Sequence, residues 1–475
     1  MNDLASQRTR LTKIICTIGP ASSTQEHMLA LVEAGMNMAR INLSHGTRED
    51  LDRTIDQLQK LNGRGSTIPI LMDTRGAAIR TGIVSVPIAI QEGQEVIFSA
   101  HPIAEEQRPV ISVNYEGFAN DVRGAEHIIV DNGTLSFALL SIEKNGAVIV
   151  KALDSGSIGS RRHINLPGAY INLPAITQED WEDIAFGIGR GIDYIALSFI
   201  RAAEEVQALR RFLNEHRSDV QIIAKIETRM AVEKNLQEII DVSDGIMVAR
   251  GDLGMEIPIE ELPAFQDEIV VRCRDAGKPV IIATQMLESM MTNPLPTRAE
   301  ATDIAHAAST RADATMLSGE TSVGRYPVKC VETMDRILRE TEARQARLQH
   351  RFGGAVHNDR EAGAEAAVSL AQATNADVIF AFTKTGRTAR DVTRFRPSIP
   401  VIACTPDDRT KRKLALFYGV SPLLIPFSTP EETVHAGMEA AKKAGLVEAG
   451  ARAVLLSDTQ AKDTPVSTVQ MRDIS

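Results

Sequence analysis

Very little in this sequence points to metal clusters, membranes or nucleic acid. Four cysteines, Cys16, Cys273, Cys330 and Cys404, are scattered through 475 residues with no zinc-like pairing. They read as reduced, buried thiols in a cytoplasmic protein. No apolar run approaches the roughly 20 residues that cross a bilayer, and the polar, basic N-terminus has no apolar signal segment. A soluble intracellular chain with no membrane partner is expected. Basic runs are missing and the net charge is −10, which excludes general nucleic-acid affinity. Any polyanionic substrate must therefore meet local cations. Also missing are the glycine-rich signatures of P-loop proteins and protein kinases, internal repeats, coiled coils and low-complexity tracts.

What is present is a long alternation of short apolar strands and amphipathic helical stretches, the mark of α/β architecture. The length exceeds one ordinary core, so about two to four domains are expected. Strands are predicted at 13–18, 36–43, 68–72, 194–199, 220–226, 245–249, 279–284 and 312–317, with helices such as 25–34, 262–276 and 297–309 between them. Eight such units fit a (β/α)8 barrel better than an open sheet. Between Gly76 and Pro174 the alternation stops, and β-rich segments at 95–98, 127–130 and 147–150 are separated by Gly, Asn and Asp. That stretch reads as a small β-barrel inserted after the third strand. After a long helix at 328–349, further strands at 376–381, 401–404 and 451–456 indicate a C-terminal α/β domain. The expected layout is a barrel over 1–75 and 174–345, a lid over 76–173 and a regulatory domain over 346–475.

Lys225 and Glu227 stand two apart on one predicted strand and so face the same way. Asp252 ends the next strand beside Gly251, where the missing Cβ lets backbone amides approach an anion. Two hard carboxylates near a lysine suggest a magnesium-phosphate site. In a barrel of this kind reactive residues gather where strands end and βα loops begin. Polar residues do follow seven consecutive strands: Arg40, Asn42, Ser44 and His45; Asp73 and Thr74; Ser198; Lys225 and Glu227; Asp252; Thr284 and Gln285; Ser318 and Glu320. Each alone would more often be structural, but their convergence on one rim argues for a site.

With these residues assembled, the chain resembles the pyruvate kinase family from end to end. The most specific stretches are Ala39-Arg40-Ile41-Asn42-Leu43-Ser44-His45-Gly46, Ala224-Lys225-Ile226-Glu227, 247–258, 283–290 and Met316-Leu317-Ser318-Gly319-Glu320-Thr321. The resemblance implies phosphoryl transfer from phosphoenolpyruvate to ADP, then protonation of the enolate to pyruvate. It implies that Glu227 and Asp252 hold magnesium or manganese, and that Lys225 stabilises charge on the phosphoryl group in flight. Amides of Gly251 and Asp252 with the Thr284 hydroxyl would anchor the substrate carboxylate. Thr284 would relay a proton through water, with Ser318 and Glu320 along the path, leaving the direct donor open. Arg40 matches a transferred-phosphate ligand, Asn42, Ser44, Asp73 and Thr74 match potassium ligands, and His45, Arg80, Arg161 and Arg162 match nucleotide contacts. A lid closing on nucleotide and a homotetramer are further implications. Two rivals stay open from the residues themselves: a metal-dependent enolate lyase or aldolase, and a non-catalytic metabolite-binding relative.

The chain departs from the family pattern in two places. The usual Asp-Thr-Lys-Gly-Pro-Glu-Ile-Arg is Asp73-Thr74-Arg75-Gly76-Ala77-Ala78-Ile79-Arg80 here. Ala77 removes a fixed φ at the lid hinge, and Ala78 removes the charge that correlates with potassium dependence, leaving that dependence open. In the C-terminal domain, Lys384, Thr385, Gly386, Arg387 and Thr388 precede a helix and resemble a loop that binds an effector phosphate. The usual Gly-rich closing loop is Gly-free at 457–465 and carries Asp458 and Asp463, so a sugar monophosphate is expected to suit this site better than a bisphosphate.

Overall fold

The computed structural model describes residues 10–63, 65–104, 107–131, 133–347, 356–461 and 464–474. Eight parallel strands close into a barrel in sequence order around the ring: Lys13–Thr17, Met38–Asn42, Ile70–Asp73, Tyr194–Leu197, Gln221–Ile226, Gly245–Ala249, Val280–Ala283 and Ala314–Leu317. All but two of their residues are buried, because side chains fill the barrel on one face and pack on helices on the other; this is why they read as unbroken apolar runs. Ile15, Met38, Leu71, Tyr194, Ile223 and Met247 pack inside, and Leu416 of the C-terminal region joins the same core. Several helices start on side-chain caps, with reciprocal capping boxes at Thr177 with Asp180 and Thr297 with Glu300.

Four predicted barrel strands end early, and for two of them the reason is local. The stretch predicted to run to Phe199 stops at Leu197, and the one predicted to include Thr284 stops at Ala283. Phe199 has φ +53° and Thr284 φ +69°, left-handed values that an extended strand cannot contain.

The inserted region has its own core, built around Phe98, Phe118 and Phe137. Instead of a closed small barrel, its strands pair as a six-stranded sheet and a separate two-stranded ribbon. The ladder is interrupted where only isolated bridges form, Arg80 with His163 and Thr81 with Val113.

The long helix runs Pro327–Arg347, and the predicted end at residue 349 lies outside the described residues. Beyond it, Val420–Leu424, Val401–Thr405, Val378–Phe382, Arg452–Ala461 and Thr464–Asp473 form a five-stranded sheet in that spatial order, the last pair antiparallel. The sequence reading lacked the first and last of these. Pro422 sits in the first, which is tolerated because that strand is an edge. Under the barrel floor, Arg396 pairs bidentately with buried Asp313 (2.6 and 2.5 Å), Arg412 pairs with Asp193 (2.9 Å), and Lys13 Nζ donates to Val420 O (2.7 Å). All four cysteines are buried and free. Among the described residues no helix is long and apolar enough to cross a membrane.

Candidate active site

Lys225 sits near the end of the fifth strand, buried, and its ammonium is held by three acceptors. Asp73 Oδ1 lies at 3.1 Å, Glu227 Oε1 at 2.8 Å and Ser198 Oγ at 2.9 Å. Burial works against its charge, but Asp73 and Glu227 outweigh it and raise the pKa above the ordinary lysine value. The predicted cation and carboxylates therefore share one space.

Asp73 ties the lysine to a second cation. Arg40 Nε donates to Asp73 Oδ2 (2.7 Å) and Arg40 Nη1 to Thr17 Oγ1 (2.9 Å). Burial would raise the Asp73 pKa, but the two cations hold it below the ordinary value. Asn42 faces Asp73 across the sheet, Ser44 N–H donates to Asn42 Oδ1 (3.1 Å), and Thr74 Oγ1 accepts from Ser198 N–H (3.1 Å). The four candidate potassium ligands are thus neighbours, although Asp73 already balances Arg40 and Lys225.

Glu227 is fully buried, and Phe199 N–H donates to its Oε2 at 2.6 Å. Its Oε1 meets the Lys225 ammonium at 2.8 Å and has no other partner among the described residues. Burial lifts this carboxyl to about 7; Lys225 pulls it down and Asp252 pushes it up. Asp252, raised by burial against the pull of Lys225, keeps about a third of its side chain exposed (32%) and accepts no hydrogen bond among the described residues. Two carboxylates with acceptor capacity left over, one buried and one at the rim, fit a hard divalent cation. MgII or MnII would find oxygen donors there; among the described residues no group of three or more His, Cys, Asp and Glu side chains forms a metal cluster.

Thr284 closes the opposite wall. Gly251 N–H donates to Thr284 Oγ1 (2.8 Å) and that hydroxyl donates to Ala283 O (2.6 Å), so the amide and hydroxyl predicted to anchor a carboxylate are adjacent, with their hydrogens turned to each other and to the strand. The strained backbone at Thr284 and Gln285 is over-determined by Arg250, which donates to Thr284 O (2.6 Å) and pairs with Asp303. Ser318 Oγ is buried without a hydrogen-bond partner among the described residues. The Glu320 oxygens accept from Leu287 N–H (3.0 Å) and Ser318 N–H (2.7 Å).

Known proteins bear on this constellation. The pyruvate kinase barrel-domain model matches residues 9–331, and the pyruvate kinase alpha/beta-domain model matches 361–470. The chain belongs to the pyruvate kinase family. It is 42% identical to pyruvate kinase isozyme G of Nicotiana tabacum, over 93% of this chain and 79% of that one. It is 41% identical to the pyruvate kinase of Geobacillus stearothermophilus, over 96% and 78%. A solved pyruvate kinase of Cryptosporidium parvum superposes with TM-score 0.89 at 34% identity, covering 99% and 97%. A phosphotransferase family with this coverage leaves neither the lyase reading nor the non-catalytic reading favoured.

In this pyruvate kinase fold the remaining predicted residues are less tightly gathered. Arg80 Nη1 donates to Arg161 O (3.1 Å), and Arg162 pairs with Asp131 (3.3 Å), so the three lid arginines are neighbours. His45 is exposed, its backbone N–H directed at Asn42 O (3.4 Å). In the C-terminal domain Gly386 (φ +85°) caps the helix Arg387–Arg394, with Lys384, Thr385 and Arg387 exposed and Thr388 buried. The side chain of Asp458, and all of Asp463, lie outside the described residues.

Three positioning residues escaped the sequence reading. Phe199 acts through a backbone N–H, Arg250 by gripping a carbonyl, and His163 of the lid by its approach to Asp252 Oδ1 (Nδ1 at 3.7 Å). Burial and the charge of Arg80 hold His163 down at about 4, so its ring is neutral at pH 7. Only Arg250, a charge at the end of an apolar run, carried a signal in the sequence.

Proposed function

We propose that this chain transfers the phosphoryl group of phosphoenolpyruvate to ADP, giving pyruvate and ATP, the last step of glycolysis. The observation that carries the reading is the Lys225 ammonium, buried and clamped between Asp73, Glu227 and Ser198 at the same rim as Arg40, Asp252 and Thr284. A cation preorganised in a water-poor site needs no reorganisation when charge develops on the phosphoryl group, and such stabilisation is worth most there. Arg40 offers the phosphoryl oxygens a second fixed charge. The Gly251 amide and Thr284 hydroxyl orient the substrate carboxylate, and the carbonyl grip of Arg250 keeps that wall in place.

Glu227 and Asp252 would hold magnesium or manganese, which when bound supplies Lewis-acid neutralisation of substrate oxygens. Asn42, Ser44, Asp73 and Thr74 would hold potassium. Thr284 hands the enolate its proton through water, with Ser318 and Glu320, which are joined by the Ser318 N–H bond to the carboxylate, along the path. The lid brings Arg80, Arg161 and Arg162 to the nucleotide, with His45 at the rim, and excludes water from the transfer. Lys384, Thr385, Gly386, Arg387 and Thr388 take a sugar monophosphate effector. Exposed apolar residues such as Ile259, Leu295 and Val323 suit assembly into a homotetramer, and the buried unpaired thiols suit the cytoplasm.

An assay that follows pyruvate formed from phosphoenolpyruvate tests the reading. Pyruvate release should require ADP and a divalent cation; ADP-independent release, or none under any metal, sinks it.

A further inference from the structure

Between the returning stalk of the lid and the barrel lies a cavity of about 140 Å³, separate from Lys225, Glu227, Asp252 and Thr284. Its walls are largely apolar, with Ile79, Leu166, Ile171, Leu173 and Met230 among them. Ala77 and Ala78, the two departures in the hinge sequence, also line it. Side chains as small as alanine leave this space open; larger ones at either position would project into it. A cavity of this size holds a ligand of about six to eight non-hydrogen atoms, since one of about 150 Å³ accommodates benzene.

The polar lining is unevenly satisfied. Arg201 is fully occupied, donating to the backbone carbonyls of Ile171 and Leu173 and pairing with Glu205. Arg229 donates to Glu256 O (3.0 Å) and pairs with Glu126 of the lid (2.8 Å). Glu233 and Lys234 are exposed at the mouth and solvated. Two acceptors remain inside. Asn165 Nδ2 donates to Glu256 Oε1 (3.3 Å), which leaves Asn165 Oδ1 buried without a partner among the described residues, on a residue that is 6% exposed. Burial raises the Glu256 pKa, with Asn165 and Arg229 offsetting part of the shift, so a cationic partner would be welcome.

We propose that this cavity is a ligand site for a small organic amine with an apolar body, its ammonium shared by Asn165 Oδ1 and the Glu256 carboxylate. An occupant would join the lid stalk to the barrel. It would also touch the catalytic rim indirectly: Phe199 and His163 line the cavity, the first holding Glu227 through its N–H and the second approaching Asp252. The site is therefore a place from which lid motion can be controlled, and its occupancy can be read without any phosphotransfer.

Benzylamine is a suitable probe, with benzyl alcohol as its uncharged counterpart. Calorimetric titration of the full chain should show one equivalent of benzylamine bound with a Kd of about 1 mM or tighter, and at least tenfold weaker binding of the alcohol. Amide exchange across 166–173 should slow at least tenfold on saturation. Glu256→Gln, which removes the charge but keeps the shape, should weaken benzylamine at least tenfold while kcat stays within twofold, and Ala78→Leu, which fills the space, should weaken it at least tenfold as well. Failure of benzylamine to bind, equal affinity for the alcohol, or unchanged binding in Glu256→Gln would overturn the proposal, whether or not Ala78→Leu folds.

Discussion

The two ends of the barrel both bury charge, yet they finish the accounting of hydrogen bonds differently. At the floor, each carboxylate has both oxygens occupied. Asp313 accepts from Arg396 twice, Tyr418 N–H and Val280 N–H; Asp193 accepts from Arg412 and Ile70 N–H; Glu342 accepts from Leu11 N–H and Thr12 N–H. What is left over there is mainly guanidinium N–H, at Arg10 Nε and Arg396 Nε. At the rim, among the described residues, the leftovers are the Ser318 hydroxyl and the Asp252 carboxylate, while Glu227 Oε1 meets only the Lys225 ammonium. A buried charge with every partner in place holds domains together, whereas a buried anion with capacity to spare waits for a cation or substrate. The sign of the unsatisfied group separates a structural charge cluster from a reactive one better than burial does.

The comparison breaks if rim and floor substitutions have the same consequence. Lys225→Met should lower turnover by at least about 10²- to 10³-fold with little change in the KM for phosphoenolpyruvate, because the ammonium acts on charge that develops in transfer. Steady-state kinetics decide it, and near-normal turnover removes Lys225 from the mechanism. Asp313→Ala at the floor should do the reverse. It strands Arg396 in a buried site, costing about 3–5 kcal/mol of stability by denaturant titration, with kcat per folded molecule unchanged.

A smaller effect sharpens the distinction within the rim. Glu227→Gln keeps the shape and the Phe199 N–H acceptor but exchanges a hard anionic donor for a neutral amide, so the half-activating magnesium concentration should rise roughly 10- to 100-fold. An unchanged magnesium titration on a folded variant would count against Glu227 as a ligand. The smallest effect is expected at the C-terminal loop, where Lys384, Thr385 and Arg387 are exposed rather than clamped. Glucose 6-phosphate or ribose 5-phosphate should lower the apparent KM for phosphoenolpyruvate a fewfold, more than fructose 1,6-bisphosphate does, and Lys384→Ala should remove the response. Strong micromolar activation by the bisphosphate would show that the tail accepts a second phosphate.

The sequence by itself determined the barrel and the order of its strands, because strands buried on both faces must read as continuous apolar runs, and their ends must expose whatever polarity follows them. Lys225 and Glu227 were readable for the same reason: a period of two puts them on one face whatever surrounds them. The inserted lid was visible only as an interruption. Its short strands carry weak local signals, and how they divide into a six-stranded sheet and a ribbon depends on pairings distant in the chain. The edge strand Val420–Leu424, broken by Pro422, was hidden likewise. Tertiary structure alone decided which groups stay unsatisfied, since Phe199 holds Glu227 through a backbone N–H that any residue possesses. It alone placed His163 near Asp252 and set Ala77 and Ala78 beside a cavity, because those contacts join segments with no periodicity in common.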